Sequence, residues 1–469
     1  MARERTNDLV VVVPGILGSR LADSDGKEIW GLSGSALLRG IRTFGGSVKR
    51  LTLPPDIGDD HPGDGVRTVG VMRDVHALPG VGPVIDGYTG LLDWLEQHFT
   101  VRRRQPGEPD STPANLVAFA YDWRLSCRYN AARLKARIDE ELGRWRDSAP
   151  ERSEARVVFI CHSMGGLVTR HYVEVLGGAE TTREVITLGT PYRGSLDALL
   201  YLVNGLRRGW GPLSLDLTAF ARSLPSLHQL TPDYACLQSP GGLRYTRELP
   251  GLPGLDPELL KDAAAFHTRL RERPSGAAYL PIVGVLQPTP TTAGLSDELL
   301  LPLNTIDGID EGGDGRVPRL SAGAPVPKAV HTPCEQHGSL QSNAGVRAAL
   351  WNRLAPGVPY HRGVGGSVQL GVQAPELLGP GEAYDIAVTV PDSVRDHDEL
   401  AVRATVTPVD GAGGREESQT LRNLGDGRYA TSFPRLGPGP YRVAVVAAGQ
   451  TDSTVTALVL VSGPEAGDE

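Results

Sequence analysis

Apolar runs of strand length recur along the first part of the chain: Leu9–Val13, Leu116–Ala120 and Val157–Cys161 are uninterrupted, and Glu184–Leu188 and Tyr279–Leu286 also read as strands. In the first three the apolar positions are continuous rather than alternating, the pattern of strands buried on both faces. Between them lie stretches with apolar residues three and four apart. Gly90–Phe99 carries Leu91, Leu92, Leu95 and Phe99 in this way, and Asn130–Arg146, Leu167–Leu176 and Leu340–Leu354 also read as helices. Strand and helix alternating from 9 to 354 predict a mostly parallel, doubly wound α/β sheet.

Two segments interrupt the alternation. Residues 23–83 are rich in Gly, Pro and Asp and weak in periodicity, which reads as an irregular functional excursion. Trp30, Leu32, Leu37, Leu38, Ile41 and Phe44 would line a site mouth there or pack into the core. From 196 to 275 the strand signal vanishes, and Leu196–Leu206, Leu215–Leu230 and Glu258–Arg273 read as the helices of a cap. After a Gly/Pro-containing linker at Ala355–Gly366 the pattern changes to short β-rich runs: Val368–Val372, Tyr384–Val390, Leu400–Val406, Arg428–Phe433, Tyr441–Val446 and Thr454–Val461. This predicts an antiparallel, immunoglobulin-like sandwich without the Cys…Trp…Cys core. The expected domains are 1–358, with insertions at about 23–83 and 196–275, and 367–462. Every element of the expected site lies in the first, so the sandwich is expected to be dispensable for chemistry on a small substrate.

Composition narrows the partners. With 47 basic and 55 acidic residues the net charge is -8, which argues against nucleic acid. The cysteines Cys127, Cys161, Cys236 and Cys334 form no C-x-x-C pair, and neither a metal nor a cofactor is expected. The opening MARERTNDLVVVVPGILGS lacks the pattern of a secretory signal, and no run reaches the roughly 20 apolar residues of a membrane span. A soluble, cytoplasmic protein is the expectation.

The chemistry centres on Val157–Cys161 running into His162, Ser163, Met164, Gly165 and Gly166, followed by a helix. A strand, a sharp turn with serine at its apex and a departing helix are the setting of a nucleophile elbow. An ordinary βα turn with Ser163 as helix cap is the plainer alternative. Cys161 stands where that motif has its first glycine, and His162 should point away from the Ser163 hydroxyl. The turn Pro14–Ser19 (PGILGS) and the elbow suggest the N–H groups of Ile16 and Met164 as oxyanion donors. An acid and a base should follow in that order. Asp314, in GGDGRVP, and His337, in QHGSLQSN, are the candidates, with Asp310, Glu311 and His331 as rivals. Asp122 and Arg124, flanking Trp123, would pair and pin a loop near the site.

The fragments PGILGS, AYDWRLS, CHSMGGLV, ITLGTPYRGS, SLPSLHQLTP and GDGRVP with QHGSLQSN occur in the order seen in the lecithin:cholesterol acyltransferase family, which the chain resembles in patches from about 9 to 350. The family includes lysosomal phospholipase A2. The resemblance implies an α/β-hydrolase fold, a Ser163–Asp314–His337 triad, oxyanion donors at Ile16 and Met164, and chemistry on ester-linked acyl chains. The sandwich falls outside it. A serine esterase or lipase-like acyl hydrolase is the first expectation, acting on a small-molecule or lipid ester, with peripheral membrane contact left open. The alternatives are an acyltransferase using the same triad and a non-catalytic protein that binds a protein partner through the sandwich.

Overall fold

The structure, a computed structural model, describes residues 3–31, 50–73, 86–105, 107–208, 215–249, 251–272, 274–296, 299–323, 333–355, 368–379, 381–391, 394, 397–398, 400–409, 415–447 and 454–462. Its centre is a sheet of five parallel strands: β1 (Leu9–Val13), β2 (Leu116–Ala118), β3 (Val157–His162), β4 (Thr182–Leu188) and β5 (Tyr279–Ile282), in the order β5-β4-β3-β1-β2. Every residue of β1 and β3 is buried, so β-branched side chains fill both faces. Parallel pairing aligns Val13 with Cys161 and Cys161 with Thr187, and so brings the turns after β1, β3 and β4 to one edge.

The helices are α1 (Thr89–His98), α2 (Cys127–Asp147), α3 (Met164–Val175), α4 (Pro257–Glu272) and α5 (Ala344–Leu354). Their starts are locally encoded where a cap exists. The Ser126 side chain accepts from the Tyr129 N–H at α2, and Asn343 accepts from Val346 at α5. α3 packs between α2 and α4. This is an α/β-hydrolase arrangement.

The interrupting segments differ from their sequence reading. Residues 23–83 are not wholly irregular: Glu28–Trp30 and Arg67–Val71 flank Ser19–Ala22 in a three-stranded antiparallel sheet. Trp30 is buried there against Trp123, ring centroids 4.8 Å apart, and donates to the Leu17 carbonyl at 3.0 Å. Leu32, Leu37, Leu38, Ile41 and Phe44 lie outside the described residues. The expected helix Leu215–Leu230 is broken into a short strand at Leu215–Asp216 and helices at Thr218–Arg222 and Pro225–Gln229. Pro225 has no N–H to continue the helix and holds Leu224 extended at ψ 109°. The region 196–275 also contains a hairpin, Leu237–Ser239 with Gly242–Arg244, joined to a second hairpin, Thr292–Ser296 with Leu299–Leu303. The first hairpin is short and partly exposed, and so carries little apolar periodicity.

Beyond residue 367 two sheets face each other. One orders Gly371–Gln373, Tyr384–Thr389, Arg428–Phe433 and Arg422–Gly425; the other Leu377–Leu378, Val455–Val461, Gly439–Ala447, Val402–Pro408 and Glu417–Thr420. Tyr384–Thr389 alternates buried and exposed, and Tyr384, Tyr429, Phe433 and Tyr441 fill the interior. The strands Glu417–Thr420 and Arg422–Gly425 escaped the sequence reading because they are polar edge strands with little buried surface.

The sandwich holds segments of the α/β part by polar contacts. Gln287 donates to the Leu370 carbonyl at 3.1 Å and accepts from the Val372 N–H at 3.1 Å. The Glu335 carboxylate accepts from the Thr456 N–H at 2.7 Å. Arg316 pairs with Glu376, and Arg442 with Asp86. A chain ending at residue 355 leaves these partners unmet, and each buried group so orphaned costs about 1–3 kcal/mol. Its thermal midpoint should fall clearly below that of the whole protein in a calorimetric scan. An unchanged midpoint would show that the contacts contribute nothing and would favour 1–358 as an independent unit.

Candidate active site

β3 ends by delivering Ser163 into a backbone conformation that L-residues rarely adopt, φ 52° and ψ -127°. Such a residue costs about 1–3 kcal/mol and persists only when its surroundings impose it. Here they do. The Ser163 N–H donates to the Leu188 carbonyl at 2.9 Å, and the Ser163 carbonyl accepts from Thr190 Oγ1 at 2.9 Å and from the Gly166 N–H at 3.0 Å. Gly165 and Gly166 let the turn close. A Cβ at Gly165 would collide with the carbonyls of Val13 and Pro14, and one at Gly166 with the Thr190 side chain. Cys161, in the place of the usual glycine, fits because its thiol donates to Thr169 Oγ1 of α3 at 3.2 Å. Burial pushes that thiol up to about 12, so it is neutral.

Three side chains far apart in sequence meet at this turn. His337 Nε2 lies 2.9 Å from Ser163 Oγ, and His337 Nδ1 lies 2.7 Å from Asp314 Oδ2. The other Asp314 oxygen accepts from the N–H groups of Arg316 at 3.0 Å and Val317 at 2.7 Å. The Asp314 carbonyl accepts from the His337 N–H at 2.8 Å, so the two segments are tied by backbone as well as by side chain. Asp314 is 1% exposed, and Ser163 and His337 are each 6% exposed, low enough to strengthen every polar contact among them. The rivals are elsewhere. Asp310 and Glu311 are exposed, and Asp310 accepts from the Gly312 N–H. His331 lies outside the described residues.

Ile16 follows a turn pressed against the serine, since a Cβ on Gly15 would lie 2.9 Å from Ser163 Cβ. Met164 opens α3, where the helix leaves its first N–H groups unpaired. Among the described residues neither the Ile16 nor the Met164 N–H has a hydrogen-bond acceptor. Asp122 and Arg124 form a two-point ion pair, Nε–Oδ1 3.0 Å and Nη2–Oδ2 2.7 Å, and Arg124 also reaches Asp64 at 2.7 Å. They pin the corner after β2 to the segment around residue 64, and neither bonds to Ser163, Asp314 or His337.

Two contributors were not legible in the sequence. The His162 ring lies between Tyr88 and the His337 segment: Nε2 is 2.9 Å from the His337 carbonyl and Nδ1 is 2.8 Å from Tyr88 Oη, which accepts from the Gly15 N–H at 2.9 Å. A carbonyl can only accept, so the His162 proton sits on Nε2 and Tyr88 donates to Nδ1. This relay ties the Gly15 turn to the His337 backbone. Glu335, two residues before His337, is the other. It accepts from the N–H groups of Thr456, Gln336 and Asn343, while burial pushes its carboxyl up to about 8. Nothing local marks Tyr88 or Glu335, because their partners come from distant parts of the chain.

Among the described residues no cluster of three or more His, Cys, Asp or Glu is placed to hold a metal ion, and no helix is long and apolar enough to cross a membrane. The family profile of lecithin:cholesterol acyltransferase matches residues 110–240, which include β2, the elbow and β4 but neither Asp314 nor His337. Among solved structures, the chain resembles the Bacillus licheniformis lipase BlEst2 in its propeptide form. Identity is 13%, over 96% of this chain and 73% of that one, with a TM-score of 0.35. The mature form of that lipase is likewise 13% identical, over 74% of this chain and 91% of that one, with a TM-score of 0.35. No curated protein sequence matches the chain.

Two outcomes are expected of this geometry. Burial, with the neighbouring His337, lowers the His162 pKa to about 3, so its ring should show no titration by NMR between pH 5 and 8. An unfolded histidine takes up its proton near 6.5, so this ring lowers stability as pH falls below about 6.5 and leaves it unaffected above. A His162 titration midpoint near 6.5 would contradict the relay. Second, Arg124→Ala leaves a buried carboxylate unpaired and should cost about 3–5 kcal/mol in denaturant melts; a loss under 1 kcal/mol would mean the pair does not pin the corner.

Proposed function

We propose that the protein is a serine acyl hydrolase acting on ester-linked acyl chains, with Ser163 as nucleophile, His337 as general base and acid, and Asp314 as the carboxylate that orients His337. One observation carries this reading: a single imidazole bridges the serine hydroxyl and a buried carboxylate at hydrogen-bond distance. Asp314 holds the His337 proton on Nδ1 and leaves Nε2 free to accept. As Ser163 Oγ attacks the ester carbonyl carbon, its proton passes to Nε2. The carbonyl oxygen becomes an oxyanion, for which the N–H groups of Ile16 and Met164 are the donors. Collapse breaks the bond to the leaving alcohol, which takes the proton from His337, and an acyl-enzyme remains. Water then attacks that ester, giving its proton to His337, and the carboxylic acid leaves as Ser163 recovers its own.

The matched family is named for acyl transfer, and an alcohol in place of water at the last step would give that outcome from the same residues. Product analysis with and without an added alcohol separates the two.

Ser163→Ala should remove labelling by a fluorophosphonate probe and lower ester turnover by about 10⁴–10⁶-fold with the fold intact. Asp314→Asn and His337→Ala should be nearly as inactive, while Asp310→Asn keeps most activity. Near-normal turnover of the Ser163→Ala chain on a panel of esters would sink the proposal.

A further inference from the structure

A polar cavity of about 400 Å³ opens between α3, α4 and the loop after β4. Its residues make no bond to Ser163, Asp314 or His337 among the described residues, and Arg170, buried at its wall, lies seven positions beyond Ser163 on α3, roughly 10 Å along the axis. Four guanidinium groups line it, from Arg170, Arg193, Arg247 and Arg271, with Asp233 as the only carboxylate among its lining residues. Arg247 and Arg271, both about half exposed, share Asp233. Arg170 is 8% exposed, donates from Nη2 to the Leu270 carbonyl at 3.1 Å, and among the described residues has no partner for its buried Nε. The Arg193 side chain has neither an ion pair nor a hydrogen bond among the described residues.

Burying like charges together is unfavourable unless something neutralises them. At Arg271 burial and the charges of Arg193 and Arg170 lower the guanidinium from its ordinary value, in opposition to its pairing with Asp233. His267 does not add to it, because burial lowers its ring to about 4 and keeps it neutral. Tyrosine faces hold the arginines in place: Arg170 over Tyr192 and Arg193 over Tyr234, both 5.4 Å to the ring centroid, and Arg247 over Tyr245 at 4.0 Å. Stacking of this kind fixes the guanidinium plane and leaves N–H groups at its edge free to donate. The chain as a whole carries a net charge of -8, so a local excess of positive charge is no reflection of its composition.

We infer that this cavity is a binding site for a phosphate monoester or phosphate dianion, held by Arg170 and Arg193 within and by Arg247 and Arg271 at the mouth. A carboxylate offers one charge and two oxygens. A phosphate dianion offers two charges and three oxygens, which suits several convergent guanidinium groups. The inference does not depend on the function proposed above, because none of its residues takes part in the acyl chemistry.

Calorimetric titration of the whole protein at constant ionic strength tests it. The probes are inorganic phosphate, glycerol 3-phosphate, and phosphatidylcholine vesicles with and without phosphatidic acid; sodium chloride is the control. Saturable binding of one equivalent of a phosphate probe is expected, weakened about tenfold or more in Arg193→Gln. It should be unchanged in Arg207→Gln, which alters an exposed arginine paired with Asp216 away from the cavity. Binding of the soluble probes assigns the site to a small phosphate ester, and Arg193-dependent binding of phosphatidic acid vesicles alone assigns it to a lipid headgroup. If Arg193→Gln does not fold, Arg247→Gln at the exposed mouth carries the same expectation. No binding of any phosphate probe, or binding that both substitutions leave intact, would overturn the inference.

Discussion

Ser163 sits in a left-handed backbone that its own side chain does not favour, and much of the structure near the site follows from that constraint. The turn exists because β3 is clamped between β1 and β4, because the Leu188 carbonyl and the Thr190 hydroxyl grip the serine's backbone, and because α3 comes close enough to need glycine at 165 and 166. The same closeness places the Gly15 turn against the serine and opens α3 beside it. The strain at one residue thus comes with the Gly15 turn and the first turn of α3 packed beside it.

Asp314 and His337 have no comparable strand beneath them. Asp314 lies in a glycine turn and His337 opens a 3-10 helix, and their geometry is set from outside. On one side His162 and Tyr88 reach the His337 backbone through a relay of hydrogen bonds. On the other, the sandwich contacts Gln287, Arg316 and Glu335, residues next to or near the two segments. The C-terminal unit carries none of the three meeting side chains, yet it is joined to the segments that hold two of them. Its removal is thus a question about positioning as much as about stability.

The cationic cavity has a different physical character. The Ser163 site is built from neutral groups and one carboxylate, each hydrogen-bonded. The cavity gathers positive charge that its own residues leave unbalanced. Tyrosine rings lie under Arg170, Arg193 and Arg247, while Asp233 alone pairs with Arg247 and Arg271. α3 runs from the one to the other, with Ser163 as its N-cap and Arg170 in its second turn.

Much of this was written in the sequence. The continuous apolar runs determined a buried parallel sheet, since only strands covered on both faces tolerate them. The strand, turn and helix pattern around Ser163 was legible, whereas the caps Ser126 and Asn343 set helix starts at 127 and 344 that the apolar spacing puts at 130 and 340. Residue order named Asp314 and His337 as candidates beside rivals at 310, 311 and 331, and the family resemblance implied the set Ser163, Asp314 and His337. Other features were decided only by the tertiary structure. Pro225 broke a helix that leucine spacing had suggested. Polar edge strands formed by pairing rather than by burial. Tyr88, His162, Glu335 and the arginines around Asp233 acquired their surroundings from residues up to 175 positions away. Local spacing reports which face of an element is apolar; it does not report which distant carbonyl, carboxylate or guanidinium will be brought to meet a given side chain, because that depends on how whole elements pack.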